Sequence, residues 1–322
     1  VLVLVGILGV NPHIMGKLNL GIDFSGGRNY IIRFAEPVNT QEVNAALDNV
    51  FMEAKSELAD EETFALNVIT IGDANQVRVS TNYRINDNSE TLDDEIEALL
   101  YEGCKQFLPE NVTLKEFTST DINPEIGIMQ SQKVGPAIAD DITQSAVWAV
   151  LAALLGIFLY VLLRFRNFSF SVGALAGLAH NTLIVLGAYA LLWKVMPFSM
   201  EIDQSFIAAI LTVIGYSIND TVVIFDRVRE YTGLYPKRAR KQNINDALNQ
   251  TLSRTFSTSM STLVVLIAIF CFGGETIRGF VFALIIGVVV GTYSSLCVAT
   301  PLAYDIQEAL DRRKAKKAAL NK

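Results

Sequence analysis

Histidine, cysteine and tryptophan are rare in this 322-residue chain, which contains two, three and two of them, respectively. The histidines, His13 and His180, are far apart, and no spacing typical of a metal site occurs. We therefore predict no metal, no other cofactor and no catalytic residues. Acidic residues outnumber basic ones by 33 to 26, giving a net charge of −7. This negative balance argues against a nucleic-acid partner.

Apolar residues, in contrast, make up 51% of the chain and give it a mean hydropathy of +0.35. They are concentrated in long runs in the second half, and a membrane-spanning helix needs about 20 such residues. We therefore predict five complete spans, at approximately 142–163, 168–192, 205–226, 252–272 and 279–303.

The opening residues, VLVLVGILGV, are too few to cross a membrane and lack the flanks of a signal peptide. We interpret residues 1–10 as the end of a truncated first helix, which would make the membrane part a six-helix bundle. Because the chain does not begin with methionine, we expect it to be a piece of a longer polypeptide.

Basic residues predict the orientation, since short loops rich in Lys and Arg stay in the cytoplasm. They occur at Arg164 and Arg166, over 227–241 and over 312–317, which are alternate connections of the five spans. The prediction is a multi-pass protein of the bacterial inner membrane, with a basic cytoplasmic tail at 304–322.

Residues 11–140 are periplasmic in this orientation. The stretch 10–140 holds 22 acidic and 9 basic residues, so the acidity of the chain belongs to this domain. Cys104 lies there and should be open to an impermeant thiol reagent. Cys271 and Cys297 should lie near opposite faces of the membrane, so we expect no disulfide.

The periplasmic domain shows strand and helix patterns in the order βαββαβ, which is typical of a ferredoxin-like α+β fold. We predict a contact domain with no catalytic cluster. The strands are predicted at Arg28–Phe34, Phe64–Ile71, Gln76–Asn82 and Val112–Phe117, and the helices begin after Asn39 and at Thr91.

Asp220 lies well inside the third complete span, about 10 Å of helix before the basic end at Arg227. A charge at such a depth costs on the order of 2.5 to 3.5 kcal/mol on insertion scales and usually marks an ion pathway. Tyr216 lies one turn earlier and Asn219 flanks the aspartate, so we predict a polar stripe on this helix.

The following span carries a matching set of hydroxyl groups that includes Thr258 and Ser261. Arg254 lies in its inner part, and the two helices run antiparallel, which brings Arg254 to a depth similar to that of Asp220. We predict an ion pathway lined by these side chains. The alternative is an Asp–Arg pair that only holds two helices together.

His180 is central in the second complete span and shares a side with Gly173, Gly177 and Gly187. For His180, packing or hydrogen bonding and proton handling both remain open. The glycine pairs Gly173 to Gly177 and Gly287 to Gly291 are typical of close helix contacts.

Several motifs together resemble the SecF family. They are GIDFSGG at 21–27, VGP at 134–136, GYSINDTVVIFDRVRE at 215–230 and the arginine of QTLSRTFSTS at 250–259. The resemblance covers nearly the whole chain in the order of the family. It implies an accessory subunit of the Sec translocase that works with SecD, sometimes in one fused chain, and belongs to the RND superfamily.

The resemblance further implies use of the proton-motive force to promote export of unfolded polypeptides through SecYEG, within membrane lipids. Asp220 matches the family's membrane aspartate and Arg254 its arginine. His180 matches a family histidine, but Asn181 stands where an aspartate is common, so the two are candidates for polar support. The coupling ion should be H+, although Na+ would also suit a carboxylate.

Three other functions are open at this stage. Half of an RND-type exporter of small molecules or lipids would need a much larger exterior region. An intramembrane protease would need two facing carboxylates or a Ser/His or metal site. A structural scaffold would not depend on titration of Asp220.

Overall fold

The protein is described by a computed structural model that covers residues 18–57, 64, 66–71, 73–87, 89, 91–193, 195–196 and 198–320. The predicted first helix at 1–10 lies outside the described residues, as does His13. The described chain is predominantly helical and contains one small antiparallel sheet.

The N-terminal domain is built on this sheet, whose strand order is β2-β3-β1-β4 with every neighbouring pair antiparallel. A bulge interrupts the pairing of β1 with β4 at Ile31 and Ile32. The elements in chain order are α1 Ile22–Ser25, β1 Gly27–Arg33, α2 Thr40–Glu57, β2 Leu66–Thr70, β3 Gln76–Thr81, α3 Thr91–Cys104, α4 Leu114–Thr118 and β4 Gly127–Val134.

One face of the sheet is covered by α2 and α3. Alternate strand residues such as Ile32 and Val79 point to this face, because successive side chains of a strand point to opposite sides. Helix residues spaced by four, such as Leu92, Ile96 and Leu100, meet them and are fully buried. Each such side chain stabilises the domain by about 1.5–3 kcal/mol.

The strand predicted at Val112–Phe117 is wrong. These residues lead into the short helix α4, and the last strand is Gly127–Val134. Thr113 and Glu116 form a capping box, in which the Thr113 N–H donates to Glu116 Oε2 at 2.8 Å, and this starts a helix. Phe117 lies on this helix and its side chain is buried in the core, so an apolar residue at this position did not require a strand.

Cys104 is also not accessible as predicted. It lies at the end of α3 on the buried side and is 0% exposed. Burial raises the pKa of its thiol to about 12. We therefore expect a thiol reagent to reach Cys104 only when the domain unfolds.

Five helical segments among the described residues are long and apolar enough to cross a membrane. The last is continuous from Ile277 to Leu320 and passes through a π-helical segment, Ser295–Ala299. The helices are α5 Pro136–Phe165, α6 Phe168–Leu192, α7 Gln204–Leu234, α8 Arg240–Phe272, α9 Glu275–Ser294 and α10 Thr300–Leu320.

Helix α7 is central, because α5, α6, α8 and α9 all pack against it. The glycine pairs allow close approach, which confirms their interpretation as helix contacts. A Cβ atom at Gly287 would lie 2.1 Å from Val213 Cγ2 on α7, and one at Gly173 would lie 2.5 Å from the Ala299 carbonyl oxygen. Helix α7 therefore has little freedom to move independently of α9.

Candidate functional site

Asp220 lies on the buried side of α7 and is 5% exposed. Its carboxylate interacts with the Ser259 side chain and, through charge, with Arg254, both on α8. Among the described residues, its Oδ2 atom has no hydrogen-bond partner. A buried polar atom without a partner costs about 1–3 kcal/mol. Binding of a proton or a water molecule by this oxygen is therefore favourable.

Hydroxyl groups of α8 line the side of that helix that faces the bundle. Thr251, Thr255 and Ser259 recur every fourth residue and are all buried. The Ser259 and Thr292 hydroxyl oxygens are 2.6 Å apart, which links α8 to α9. Thr255 Oγ1, like Asp220 Oδ2, is buried without a partner in the described part of the chain. We call Asp220, Thr255, Ser259 and Thr292 the hydroxyl seam.

Tyr216 joins α7 to α8 one turn from Asp220. Its hydroxyl oxygen lies 3.1 Å from the Thr258 carbonyl oxygen and 3.1 Å from Thr262 Oγ1. The Ser261 hydroxyl donates to the same Thr258 carbonyl at 2.9 Å. These contacts fix the spacing of the two helices next to the hydroxyl seam.

Arg254, Asn219 and Ser261 lie on the outer surface of the isolated chain. Arg254 is one residue from buried Thr255 and therefore about 100° around the helix from it. It influences Asp220 through charge, but the two side chains form no ion pair within the described residues. The direct Asp–Arg contact that the sequence suggested is not present. Asn219, Arg254 and Ser261, together with Thr212 and Ser257, make an exposed polar face within the membrane helices.

Asn181 is fully buried, and its Nδ2 donates to Ser217 Oγ at 2.8 Å. One turn after Ser217 on α7, Thr221 Oγ1 lies 3.0 Å from Ser295 Oγ. His180 is half-buried, with Nδ1 3.5 Å from Asn181 Oδ1. Asn181 therefore belongs to a buried polar chain beside Asp220, while His180 stands at its margin.

Sequence reasoning missed Ser259, Thr292, Thr221 and Ser295. A single serine or threonine in an apolar helix is common and does not indicate a site, since its hydroxyl can bond to the carbonyl four residues earlier. Thr292 does so, with a distance of 2.9 Å to the Val288 oxygen. The repeat of Thr251, Thr255 and Ser259 at every fourth position was the available signal.

No group of three or more His, Cys, Asp or Glu residues that could hold a metal ion occurs in the part of the chain that the structure describes. The polar atoms that converge on the hydroxyl seam are one carboxylate and several neutral hydroxyls. Such a set can take up and release a proton or bind water, because the carboxylate titrates and the hydroxyls both donate and accept.

Comparisons with known proteins agree on one family. The family model for the C-terminal part of the protein export membrane proteins SecD and SecF matches residues 114–309, and the SecD/SecF GG motif matches residues 16–38. Protein translocase subunit SecF of Rhodothermus marinus is 39% identical over 291 residues, which cover 90% of this chain and 84% of that protein. The Vibrio alginolyticus SecF subunit is 36% identical over 287 residues, or 89% and 79% of the two chains.

A solved structure is also similar. The crystal structure of SecDF from Thermus thermophilus, described as a translocon-associated membrane protein, aligns with a TM-score of 0.70 and 30% identity. The alignment covers 95% of this chain and 37% of the SecDF chain. This chain thus corresponds to little more than a third of that protein. Motifs, membrane helices and relatives together show that the chain belongs to the SecF family.

Proposed function

We propose that this chain is an accessory subunit of the Sec protein translocase that uses the proton-motive force to promote protein export across the inner membrane. The observation that carries the proposal is Asp220 itself, a buried carboxylate in the membrane domain whose Oδ2 lacks a hydrogen-bond partner among the described residues. Uptake and release of H+ by this carboxylate transfers the energy of the proton gradient to export. The protein is a translocation component and not an enzyme.

A SecD half is the proposed partner. The exposed polar face formed by Thr212, Asn219, Arg254, Ser257 and Ser261 would be costly to hold against lipid, and polar side chains in membrane helices generally face other protein or a water-filled space. The longer SecDF chain supports the presence of such a half. Arg254 would then lie between the two halves, close enough to influence Asp220 through charge.

SecYEG and the exported unfolded polypeptide are the other proposed partners, as the family relationship suggests. Lipids contact the remaining outer surface, where large apolar side chains such as Leu155, Leu163 and Val264 are exposed by 59%, 77% and 60% in the isolated chain.

The finer architecture is also a proposal. We infer a six-helix RND-like bundle, of which five spans lie among the described residues, and a ferredoxin-like exterior domain. The antiparallel order β2-β3-β1-β4 with both long helices on one face supports the latter.

Translocation measured with and without a proton gradient tests the proposed function. We expect membranes that contain this chain and its SecD partner to export a model preprotein several-fold faster when the gradient is present. A protonophore, at constant Na+ concentration and in the presence of ATP, should reduce export to the rate of membranes that lack the pair. Stimulation that survives the protonophore but disappears without Na+ would contradict proton coupling.

The proposed orientation is tested by a matched pair of single cysteines in a variant without Cys104, Cys271 and Cys297. Gln41→Cys lies on the exposed surface of the exterior domain, and Gln242→Cys lies on the exposed first turn of α8. An impermeant thiol reagent applied to intact spheroplasts should label the first and not the second. Labelling of Gln242→Cys alone would show that the orientation is the reverse of the proposed one.

A further inference from the structure

The segment before α7 is attached on one side to the segment that leads into the exterior domain. Leu20 and Ile202 form an isolated parallel β-bridge. The Ile202 N–H donates to the Asn19 oxygen at 2.8 Å, and the Gly21 N–H donates to the Ile202 oxygen at 3.0 Å. Residues 200–203 are therefore attached to the segment that leads into the sheet domain as well as to the membrane helices.

Glu201 attaches the same segment to the sheet from the other side. Its side chain is 8% exposed. Its Oε1 accepts a hydrogen bond from Asn67 Nδ2 of β2 at 3.1 Å, and its Oε2 lies 3.6 Å from an Arg78 guanidinium nitrogen of β3. Burial raises the pKa of Glu201 and the Arg78 charge opposes that rise. One buried carboxylate thus holds two neighbouring strands.

The next residues fix the outer end of α7. Asp203 caps the helix by accepting from the Phe206 N–H at 2.8 Å. Asp23 Oδ2 accepts from the Gln204 N–H at 3.2 Å. A shift of α7 along or about its axis must therefore move Glu201, and Asp220 lies on this same helix, about 25 Å further on.

The sheet also meets the membrane helices at a second place, where Val134 at the end of β4 packs with Ile22 of α1 and Ala139 of α5. A cavity of about 440 Å³ lies between the sheet and the membrane domain. Its lining includes Asn29 and Ile31 of β1, Gln130 and Gln132 of β4, and also Arg78 and Glu201 themselves. The Arg78–Glu201 contact thus borders this cavity.

We propose that Glu201 is a positioning residue that passes movement of α7 to the exterior sheet through its contacts with Asn67 and Arg78. This inference rests on the proposed function, because it supplies the mechanical step between the titration of Asp220 and work on the exported polypeptide. Asp203 and Asp23 are the other carboxylates that face Glu201. The positive charge of Arg78 offsets their repulsion of the Glu201 carboxylate.

Charge reversal tests the contact in the full chain with its SecD partner. Arg78→Glu and Glu201→Arg each place like charges together, whereas the double variant restores opposite charges. We expect each single variant to increase amide hydrogen exchange over 199–204 at least tenfold and to reduce gradient-dependent export to less than a third. The double variant should recover at least half of both quantities. Lys105→Glu, which reverses an exposed partner of Glu102, is the matched control and should change neither.

Two readouts keep the outcome decisive. Cys104 is buried in the core of the exterior domain and stays unreactive to a thiol reagent while the domain is folded. A reactive Cys104 therefore identifies a variant that has unfolded. In that case the result of the double variant decides whether Glu201 has the proposed role. Faster exchange with unchanged export, or a double variant that is folded but recovers neither quantity, would overturn the role of Glu201. A normal response of Asp220→Asn to the gradient would contradict the role of Asp220 in coupling, while the exchange measurement would still report on the Glu201 contact.

Discussion

Asp220→Asn is expected to abolish the stimulation of export by the proton gradient while ATP-driven translocation continues. Asparagine has nearly the same size as aspartate and still accepts hydrogen bonds through its amide oxygen, but it cannot take up and release a proton. Movement of one charge through 100 mV yields about 2.3 kcal/mol, which is enough to bias a two-state membrane element substantially. Without titration at position 220 this energy is not transferred, so the rate should fall to that of membranes without the pair.

The measurement is preprotein translocation over a range of imposed pH gradients, with variants assembled to equal levels. Asp246→Asn is the matched control, because Asp246 forms an exposed pair with Arg238 near the start of α8, and such pairs contribute about 0–1 kcal/mol. A normal response of Asp220→Asn to the gradient would reduce Asp220 to a structural residue.

The hydroxyl seam gives this prediction a second comparison. Ser259→Ala removes the hydroxyl that contacts Asp220 and Thr292, so it should weaken the response to the gradient. Ser253→Ala removes a hydroxyl of the same helix that is exposed in the isolated chain and does not belong to the polar face proposed to meet SecD. Equal losses in both variants would show that the seam has no special role.

Gly173→Leu is expected to destabilise the membrane domain strongly. A Cβ atom at this position would lie 2.5 Å from the Ala299 oxygen and 2.8 Å from Ala303 Cβ, and neither the backbone nor a methyl group can rotate away. Overpacking of this kind costs typically 1–3 kcal/mol, and the backbone contact favours the upper end. We expect the melting temperature of the purified protein to fall by about 5 °C or more.

Gly156→Leu provides the control for that experiment. Gly156 lies in α5, within the membrane helices, and a Cβ atom there meets nothing within 4 Å in the described part of the chain. Thermal unfolding monitored by size-exclusion chromatography in detergent should leave this variant near the wild-type melting temperature. A similar loss in both variants would point to a general effect of leucine and not to the α6–α10 contact.

Hydropathy predicted the existence of the membrane helices but not all of their ends. Helix α6 has the predicted bounds, because Asn167 caps it at one end and the apolar run stops at the other. Helix α8 begins at Arg240, twelve residues before the predicted span at 252–272. Its first turns are polar and lie beyond the apolar run, so a search for apolar residues cannot find them.

The position of Asp220 within a long apolar helix could be inferred from sequence, whereas the orientation of α8 could not. The polar residues of α8 spread over a wide arc, and which part of that arc faces α7 depends on packing against α9, where Thr292 meets Ser259. This packing buries Thr255 and turns Arg254 outward. The direction in which Arg254 points therefore depends on tertiary contacts that the sequence does not reveal.

The π-helical segment at Ser295–Ala299 has an evolutionary consequence. Thr300 Oγ1 donates to the Ser295 oxygen at 2.8 Å, five residues back, and the wider turn accommodates one additional residue without breaking the helix. One residue turns the following helix by about 100°. Before the segment, Gly287 faces α7; beyond it, Ala303 faces Gly173 of α6. A relative that lost this one-residue insertion would keep the contact with α6 only if its small residues had also moved by one position.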